Sequence, residues 1–484
     1  MRKIWNVLPQ APKEFLSLFP EFPEVIGQLL YNRNFKTQKD VDEFFNPDYE
    51  ADIHDPYLYK DMDKGVLCIK EAVDNGDKIV VYGDYDADGV SASVILHTLL
   101  KEVGADFEVY IPDRYKDGYG LTKKSVQEFA EKGVRLIITV DCGITSLEEV
   151  DLANELGMKV VIVDHHIPKD NLPQAVAVID AKRKDETYPF QWLCGGAMAF
   201  KVVQAILNID KIGIELNKAK QIKPGFEKWL LDMVALCTIT DMVPLVGENR
   251  TLAKYGFLVM AQTKRKGLSQ LMKTAGLEPK VTKLASTGEL FSNIGSYEVG
   301  FVIGPRVNAA GRLAHANIAF DLLVTDDDEQ AKILATHLEE TNLKRQMIID
   351  EAVKEVEAMI LEKYKDNLPK IEISGVSVEK RIRMKHIFEL LARMRQQDSK
   401  NIFFEITNAQ TLNHCGANEN LPCLKPGMVV TKSKLPNNDY VVRIVDTDSL
   451  IDGKEFVYQV IFQNRNPTLD YLTAPNLNPE FSDY

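Results

Sequence analysis

The sequence has few cysteines and no long apolar run, and both features narrow the class of protein. Its six cysteines are scattered among 484 residues without a Cys-x-x-Cys pair, so a disulfide framework or a thiolate zinc site is not expected and a reducing compartment fits best. No apolar run approaches the roughly 20 residues needed to cross a bilayer. The first residues lack the apolar segment of a signal peptide. We therefore expect a cytoplasmic protein that does not bind a membrane.

The sequence also lacks an excess of basic residues. Its 58 Lys and Arg stand against 71 Asp and Glu, for a formal net charge of −13. This balance excludes a protein coated in basic surface, although a local basic groove that binds nucleic acid can coexist with it. Hydrophobic residues make up 45% and charged residues 27%, which is typical of a globular protein. A chain of this length is expected to fold as two or three domains.

Between residues 78 and 208, short Val- and Ile-rich runs alternate with helical patterns. This alternation predicts an α/β domain with a parallel sheet covered on both faces. The predicted strands are 78–82, 107–111, 136–140, 159–163 and 175–179. The predicted helices are 90–103, 123–132, 147–156, 195–208 and 226–239, and a long helical pattern covers 327–365.

Acidic and imidazole side chains follow several of the predicted strands, where the ligands of open α/β sheets bind. They are Asp84, Asp86 and Asp88 after the first strand, Asp141 after 136–140, Asp164, His165 and His166 after 159–163, and Asp241 after the apolar segment 234–239. Such groups repel one another unless a cation neutralises them. Carboxylates with some imidazole suit Mn²⁺ or Mg²⁺ better than a structural zinc. Two such ions would activate water for phosphodiester hydrolysis.

Two structural interpretations compete with a metal site. A single Asp after a strand, such as Asp141, is most often a helix N-cap. The Asp-x-Asp-x-Asp-Gly run resembles a calcium loop, but such a loop needs Glu at its twelfth position, and counting from Asp84 that position is Ile95. Several such groups after neighbouring predicted strands favour the metal site over coincidental caps.

These motifs resemble those of the DHH phosphoesterase superfamily, in order and spacing, and three further stretches resemble its RecJ branch. The stretches are Arg114–Leu121, Leu193–Ala197 and Gly304–Leu313. The resemblance covers about residues 75–325. It implies a DHH-type α/β catalytic domain that removes nucleotides from single-stranded DNA in the 5′→3′ direction, in DNA repair and recombination.

The resemblance also implies a role for each motif residue. The implied metal ligands are Asp84, Asp86, Asp88, Asp141, His165 and Asp241, with Asp164 in support. Catalysis would rest on Asp88, Asp141, His165 and His166, the last in contact with the scissile phosphate. Substrate would be bound by Arg114, Tyr119, Gly120, Arg306, Asn308 and Arg312, because guanidinium groups match phosphate oxygens. Surface ion pairing is the alternative for Arg306 and Arg312.

Four regions are expected along the chain. Residues 1–75 form an N-terminal extension packed on a catalytic domain at 76–326, and 327–365 form a connecting helix. Residues 366–484 form a smaller α+β region that binds nucleic acid or is accessory. No Gly-Gly-His…Ala-Ala-Gly stretch of the DHHA1 domain is found there. Its basic segment 379–400 and strand-like runs at 428–430, 440–445 and 456–462 could form a basic helix and an OB-like barrel, or an unrelated β module.

The sequence therefore predicts an Mn²⁺- or Mg²⁺-dependent exonuclease with two ions per site. Single-stranded DNA is the expected partner, together with a single-strand-binding protein or a helicase by family analogy. Two alternatives stay open at this point. One is a DHH phosphodiesterase that acts on short oligoribonucleotides or cyclic dinucleotides. The other is a non-catalytic DHH-fold replication scaffold, although such relatives lose metal ligands that this chain keeps.

Overall fold

A computed structural model describes residues 8–217, 219–284 and 288–364, and five strands further along the chain. The chain divides into two compact units, Met1–Arg345 and Gln346–Tyr484, and each is described by itself. Among the described residues, no helix is both long and apolar enough to cross a membrane.

The first unit is built on a five-stranded parallel sheet. Its strands are β1 (Ile79–Gly83), β2 (Phe107–Tyr110), β3 (Leu136–Val140), β4 (Lys159–Val163) and β5 (Ala177–Ile179). Their order across the sheet is β2-β1-β3-β4-β5, and each neighbouring pair is parallel. The predicted α/β class and parallel sheet are confirmed, with strand ends displaced by at most two residues.

Fourteen α-helices are described. In chain order they are α1 (Lys13–Leu16), α2 (Glu24–Asn32), α3 (Gln38–Phe45), α4 (Met62–Asn75), α5 (Ala87–Glu102), α6 (Lys123–Glu131), α7 (Leu147–Glu155), α8 (Gly195–Leu207), α9 (Leu231–Thr240), α10 (Gly247–Met260), α11 (Lys266–Thr274), α12 (Gly304–Leu313), α13 (Asn317–Val324) and α14 (Asp328–Tyr364). Among them, α4, α5, α8 and α9 pack on one face of the sheet and α6 and α7 on the other. Short 3₁₀ turns lie at Pro56–Leu58, Ile209–Ile212, Ala219–Gln221 and Glu227–Leu230, and one π-helical turn at Glu298–Ile303 precedes α12.

Alternate residues of each strand enter separate cores, because side chains on a strand point to opposite faces. On β1, Ile79 and Val81 pack in the larger core with helices α4, α5, α8 and α9. Val80 and Tyr82 pack in the smaller core with Phe129 of α6 and residues of α7. Burial on both faces explains why the strands read as continuous apolar runs rather than as alternating ones.

A buried ion pair between helices α8 and α10 also binds the backbone of His54. Lys201 of α8 and Glu248 of α10 are both fully buried, with 2.5 Å between Nζ and Oε1. Lys201 also donates to the carbonyl of His54 at 2.8 Å, and the N–H of His54 donates to Glu248 at 2.9 Å. The segment before α4 is therefore tied to α8 and α10 by charge-assisted hydrogen bonds.

Beyond residue 345, the described strands form a second five-stranded sheet. They are β8 (Pro369–Ile373), β9 (Ile402–Ala409), β10 (Thr431–Lys434), β11 (Tyr440–Ile451) and β12 (Lys454–Gln463), in the order β10-β11-β12-β9-β8. Among these described strands, only β8 and β9 run parallel.

A separate hairpin of β6 (Val281–Lys283) and β7 (Leu290–Ser292) lies in the first unit. The strand runs predicted at 440–445 and 456–462 are confirmed, whereas 379–400 and 428–430 lie outside the described residues. An OB-like barrel stays a prediction.

Candidate metal centre

Four aspartates stand in one row at the carboxyl edge of the parallel sheet. Gly83 of β1 pairs with Val140 of β3, which pairs with Val163 of β4, which pairs with Ile179 of β5. The next residue on each strand is an aspartate, and all four are buried: Asp84, Asp141, Asp164 and Asp180. Strand register alone therefore brings carboxylates from four strands to the same level.

Asp86 and Asp88 reach this edge from the beginning of α5. Asp86 is the N-cap of the helix, and its Oδ1 accepts the N–H groups of Asp88 at 2.9 Å and Gly89 at 3.1 Å. The carboxylate of Asp88 accepts the N–H groups of Gly195 and Gly196, both at 2.7 Å, at the beginning of α8. Two peptide groups thus fix the orientation of a buried carboxylate.

Only glycine fits at the two positions that hold Asp88. A Cβ on Gly195 would lie 2.6 Å from Cβ of Asp141, and a Cβ on Gly196 would lie 2.5 Å from Sγ of Cys237. The backbone of α8 can approach the acidic cluster this closely because neither residue carries a side chain. This role of the Gly-Gly pair was not predicted from the sequence.

His165 lies among three of the predicted metal ligands. Its Nε2 is 3.0 Å from Oδ1 of Asp141 and 3.6 Å from Oδ2 of Asp88. Its Nδ1 is 3.8 Å from Oδ2 of Asp241, which follows helix α9 rather than a strand. A single imidazole therefore faces carboxylates contributed by α5, β3 and α9.

Asp164 positions the second histidine of the pair. Its carboxylate accepts the N–H groups of Ile144, His165 and His166, and Nδ1 of His166 lies 2.8 Å from it. Burial by itself lowers a histidine pKa, but the Asp164 carboxylate outweighs it and raises the pKa of His166 to about 9. This shift favours the imidazolium form of His166 at neutral pH. The hydroxyl of Tyr119 lies 3.2 Å from Nδ1 of His166 and 3.3 Å from the Asp141 carbonyl.

The acidic cluster holds more negative charge than its protein surroundings can stabilise. Burial, together with the neighbouring carboxylates, raises the pKa of Asp84, Asp141 and Asp241 well above the ordinary value, and raises that of Asp88 to about 6. Burial lowers the pKa of His165, which leaves a neutral imidazole able to bind a metal. A cation at this position would reverse the acidic shifts by supplying the missing positive charge.

The donor atoms are arranged in two neighbouring groups that fit a hard cation. In each group the candidate ligand atoms lie within 4.8 Å of one another: Asp84, Asp86 and Asp141 in one, and Asp88, His165 and Asp241 in the other. Within the described residues, Asp84 Oδ1 and His165 Nδ1 are buried without a hydrogen-bond partner. Buried polar atoms are normally satisfied, and bound cations would satisfy these. Oxygen and imidazole donors suit Mn²⁺ and Mg²⁺.

Two thiols next to Asp88 are not expected to be ligands. Cys194 and Cys237 lie beside its carboxylate, and both are fully buried. Burial raises the pKa of Cys237 to about 11 and that of Cys194 well above its ordinary value. Because Mn²⁺ and Mg²⁺ prefer oxygen and imidazole donors to sulfur, we interpret these side chains as packing behind the cluster.

Helix α12 packs against the loop that carries the first aspartates. Oδ1 of Asn308 accepts the N–H of Ala87 at 2.9 Å, across 221 positions of sequence. A Cβ on Gly311 would lie 2.3 Å from the carbonyl oxygen of Tyr85. The predicted substrate residue Asn308 therefore supports the beginning of α5, and Gly311 allows close contact with the loop.

The other predicted substrate residues are distributed around this centre. The guanidinium of Arg114 lies over the ring of Tyr85, 5.1 Å from its centroid. The carbonyl of Gly120 accepts the hydroxyl of buried Tyr82 at 2.7 Å. The carbonyl of Arg312 accepts the hydroxyl of Tyr115 at 2.9 Å, so the 113–121 loop is joined to α12.

Arg306 lies in a different setting from the other predicted substrate residues. It forms a two-pronged ion pair with Glu339 of α14, and its Nη1 donates to the carbonyl of Val302 at 2.7 Å. Its side chain is only 14% exposed. This ion pair is largely buried rather than at the surface, and a role of Arg306 in substrate binding stays a prediction.

Asp180 is the site residue that sequence reasoning missed. Its Oδ1 accepts the N–H of Lys182 at 2.7 Å, and its Oδ2 is buried without a hydrogen-bond partner among the described residues. Burial, followed by the charge of Asp164, raises the pKa of Asp180 to about 7. Its position directly after a predicted strand was the available signal.

Comparisons with known proteins agree with this geometry. Residues 78–238 match the DHH family, N-terminal domain. The chain is similar to the single-stranded-DNA-specific exonuclease RecJ of Bacillus subtilis strain 168, with 39% identity over 338 residues, covering 69% of this chain and 39% of the relative. It is similar to RecJ of Escherichia coli K12, with 33% identity over 314 residues, covering 64% of this chain and 52% of the relative.

A solved structure agrees at the level of the fold. RecJ from Thermus thermophilus in complex with Mn²⁺ superposes with a TM-score of 0.60 and 23% identity, covering 95% of this chain and 60% of that chain. The chain spans about two fifths to three fifths of the length of these relatives. The resemblance expected from the motifs is confirmed: residues 78–238 match the DHH family, and the chain is similar to RecJ exonucleases over about two thirds of its length.

Proposed function

We propose that this chain is a metal-dependent exonuclease that hydrolyses the phosphodiester bonds of single-stranded DNA in the 5′→3′ direction, in DNA repair and recombination. The observation that carries the proposal is the row of buried aspartates on neighbouring strands, joined by Asp88, His165 and Asp241. The curated relatives reported above are named single-stranded-DNA-specific exonucleases. Because the chain spans only part of their length, both the activity and the substrate are proposed for it.

The cofactor we propose is a pair of Mn²⁺ or Mg²⁺ ions. One ion would be held by Asp84, Asp86 and Asp141, and the other by Asp88, His165 and Asp241, with Asp141 between the two sets. Solved RecJ structures carry Mn²⁺ in one case and Mg²⁺ in another. Such ions lower the pKa of water and stabilise the negative charge that develops during phosphodiester hydrolysis.

The side chains around the cluster would bind and orient the strand. His166, held as an imidazolium by Asp164, would donate a charge-assisted hydrogen bond to a non-bridging oxygen of the scissile phosphate. Tyr119 would limit the rotation of that imidazole through its hydroxyl. Arg114 and Arg312 would contact neighbouring phosphates, the former near the 5′ end. Arg306 could do so only after leaving Glu339.

The remaining expectations are also proposals. The catalytic domain would span 76–326, with 1–75 as its N-terminal extension and 327–365 as a connecting helix. Residues 366–484 would bind nucleic acid or serve as an accessory region. A single-strand-binding protein or a helicase would be the protein partner, in the cytoplasm, by analogy with the family.

The test compares two substrates. A 3′-labelled single-stranded DNA and a dinucleotide RNA are incubated with Mn²⁺, with Mg²⁺ and with EDTA. We expect metal-dependent shortening of the DNA from its 5′ end, visible as a ladder of labelled products, with slow cleavage of the dinucleotide. Fast dinucleotide cleavage with intact DNA would favour the phosphodiesterase of short oligoribonucleotides. Turnover of neither substrate would favour the scaffold.

Asp141→Asn is the most informative variant for the metal ligands. Asp141 has a left-handed backbone, with φ of 60°, a conformation that Asn tolerates better than Ala. We expect Asn to abolish hydrolysis, by at least about a thousandfold, while leaving the fold intact. The matched control is Asp170→Asn, an exposed carboxylate paired with Lys184, which should retain full activity. Unchanged cleavage by Asp141→Asn would contradict the ligand assignment.

A further inference from the structure

Two aromatic rings form an exposed pair immediately before helix α12. Tyr297 is 65% exposed and Phe301 is 68% exposed. Their ring centroids are 5.3 Å apart and the ring planes differ by 30°, which is a stacked arrangement. Single exposed apolar residues are common on protein surfaces and need no explanation. Two large rings stacked on each other with most of their surface in water are less common, and they form a flat apolar platform.

The backbone beneath the pair is an unusual helix. Glu298–Ile303 is a π-helical turn that continues into α12, and such turns are rare and are often found at functional sites. Gly300 packs on Ile239, and Gly304 packs on Thr240 so closely that a Cβ there would lie 2.4 Å from the threonine methyl group. The residue after Thr240 is Asp241, a member of the acidic cluster.

The same helix approaches the cluster again at its other end. Asn308 accepts a hydrogen bond from the beginning of α5, and Gly311 contacts the carbonyl of Tyr85. The helix that begins beneath the aromatic pair therefore contacts the catalytic edge at Thr240 and at Tyr85. Phe301 of the aromatic pair lies within about one helical turn of a residue that contacts the neighbour of Asp241.

We propose that Tyr297 and Phe301 form a stacking platform for the bases of single-stranded DNA beside the acidic cluster. The inference rests on the proposed function, because it takes the occupant from the substrate of that site. Aromatic rings stack on every base, so the platform would hold the strand without selecting its sequence. Arginine and histidine would contact the phosphates, whereas the aromatic rings would contact the bases. Base stacking and phosphate binding can therefore be separated by experiment.

The experiment measures the binding of two single strands of equal length and charge by fluorescence anisotropy in EDTA, where no hydrolysis occurs. One strand is oligothymidylate and the other is an abasic strand with the same phosphates. We expect Phe301→Ala and Tyr297→Ala each to weaken binding of oligothymidylate by about 5- to 100-fold, the range for loss of one stacked base. Binding of the abasic strand should change by less than about twofold.

Two further variants separate stacking from folding. Phe301→Trp should retain the affinity for oligothymidylate, whereas Phe301→Leu, which keeps an apolar side chain, should lose it. The matched control is Phe45→Ala, which removes a ring stacked on Phe22 at 5.0 Å in the N-terminal region and should bind both strands normally. Thermal melting of every variant shows whether the fold is retained.

The outcomes distinguish this inference from the proposed function. A wild-type chain that binds oligothymidylate better than the abasic strand but hydrolyses neither would contradict the proposed activity and leave the platform standing. A wild-type chain that hydrolyses DNA while both alanine variants bind oligothymidylate normally would overturn the platform and leave the activity standing. Equal losses on both strands would also overturn it, because the rings would then act through the fold.

Discussion

Lys201→Met is the substitution whose effect on stability follows most directly from the structure. Both partners of the Lys201–Glu248 pair are fully buried. Glu248 also accepts hydrogen bonds from the N–H of His54 at 2.9 Å and the hydroxyl of Tyr188 at 2.7 Å. Methionine fills much of the space of the lysine stem but supplies no charge, so Glu248 is left as an uncompensated carboxylate in the interior.

The expected loss of stability is large for a single residue. Removing one partner of a buried ion pair costs about 3–5 kcal/mol, because the remaining charge loses its partner but does not regain water. An unfolding entropy of about 2.1 cal/mol/K per residue, applied to the first unit, Met1–Arg345, converts this cost into a decrease in Tm of about 4–7 °C. The sheet edge with its aspartates is not altered by the change.

The assay is thermal unfolding followed by circular dichroism at constant pH, with Lys123→Met as the matched control. Lys123 is paired with Glu148 at the surface, where the two side chains are 55% and 76% exposed. Such exposed pairs contribute little to stability because water screens them, so the control should melt within about 1 °C of wild type. Lys201→Met combined with Glu248→Met should recover only part of the loss, because His54 and Tyr188 then lack their acceptor. A Tm of Lys201→Met within about 1 °C of wild type would refute the reasoning.

Two further predictions concern the acidic cluster and its support. Burial raises the pKa of Asp84, Asp141 and Asp241 in the folded chain. In EDTA the folded chain therefore binds protons more tightly than the unfolded chain at these three residues. Their contribution to the free energy of unfolding is present below about pH 4 and is lost as the pH rises through the raised pKa values. Tm in EDTA should therefore fall as the pH rises above about 4, and Mn²⁺ should reduce that fall; equal pH dependence with and without Mn²⁺ would contradict this. Gly311→Ala should displace the Tyr85 carbonyl and lower kcat for DNA cleavage by at least about tenfold, at a stability cost of about 1–3 kcal/mol. Normal kcat in that variant would mean that the loop adapts without moving its carboxylates.

The local elements of the catalytic region could be predicted from the sequence. Runs such as 136–140 and 159–163 are buried on both faces, and their apolar composition reports this directly. The motif aspartates could be placed because residues that follow parallel strands meet at one edge. Asp180 could have been added by the same rule, since it follows β5 directly.

The contacts that orient the site could not be predicted in this way. The N–H groups of Gly195 and Gly196 donate to the carboxylate of Asp88, which is more than 100 positions away in the sequence. No local sequence pattern specifies such a partner. The same is true of the support that Asn308 provides to Ala87.

Arg306 illustrates the limit most clearly. Its residue type and motif indicate a phosphate ligand, yet the structure pairs it with Glu339, 33 residues further along the chain. A guanidinium binds a carboxylate or a phosphate with the same geometry, and only the packing of α14 against α12 decides which acceptor is near.

What the sequence by itself determined is therefore the α/β class, the strand ends that carry acidic groups and the resemblance of residues 78–238 to the DHH family. The tertiary structure alone decided the partners that orient these aspartates and the exposure of the Tyr297–Phe301 pair. The physical reason is that strand and helix formation follows from patterns over a few residues. Charge pairing, burial and the exposure of a ring depend on elements that are distant in the chain and meet only in the packed fold.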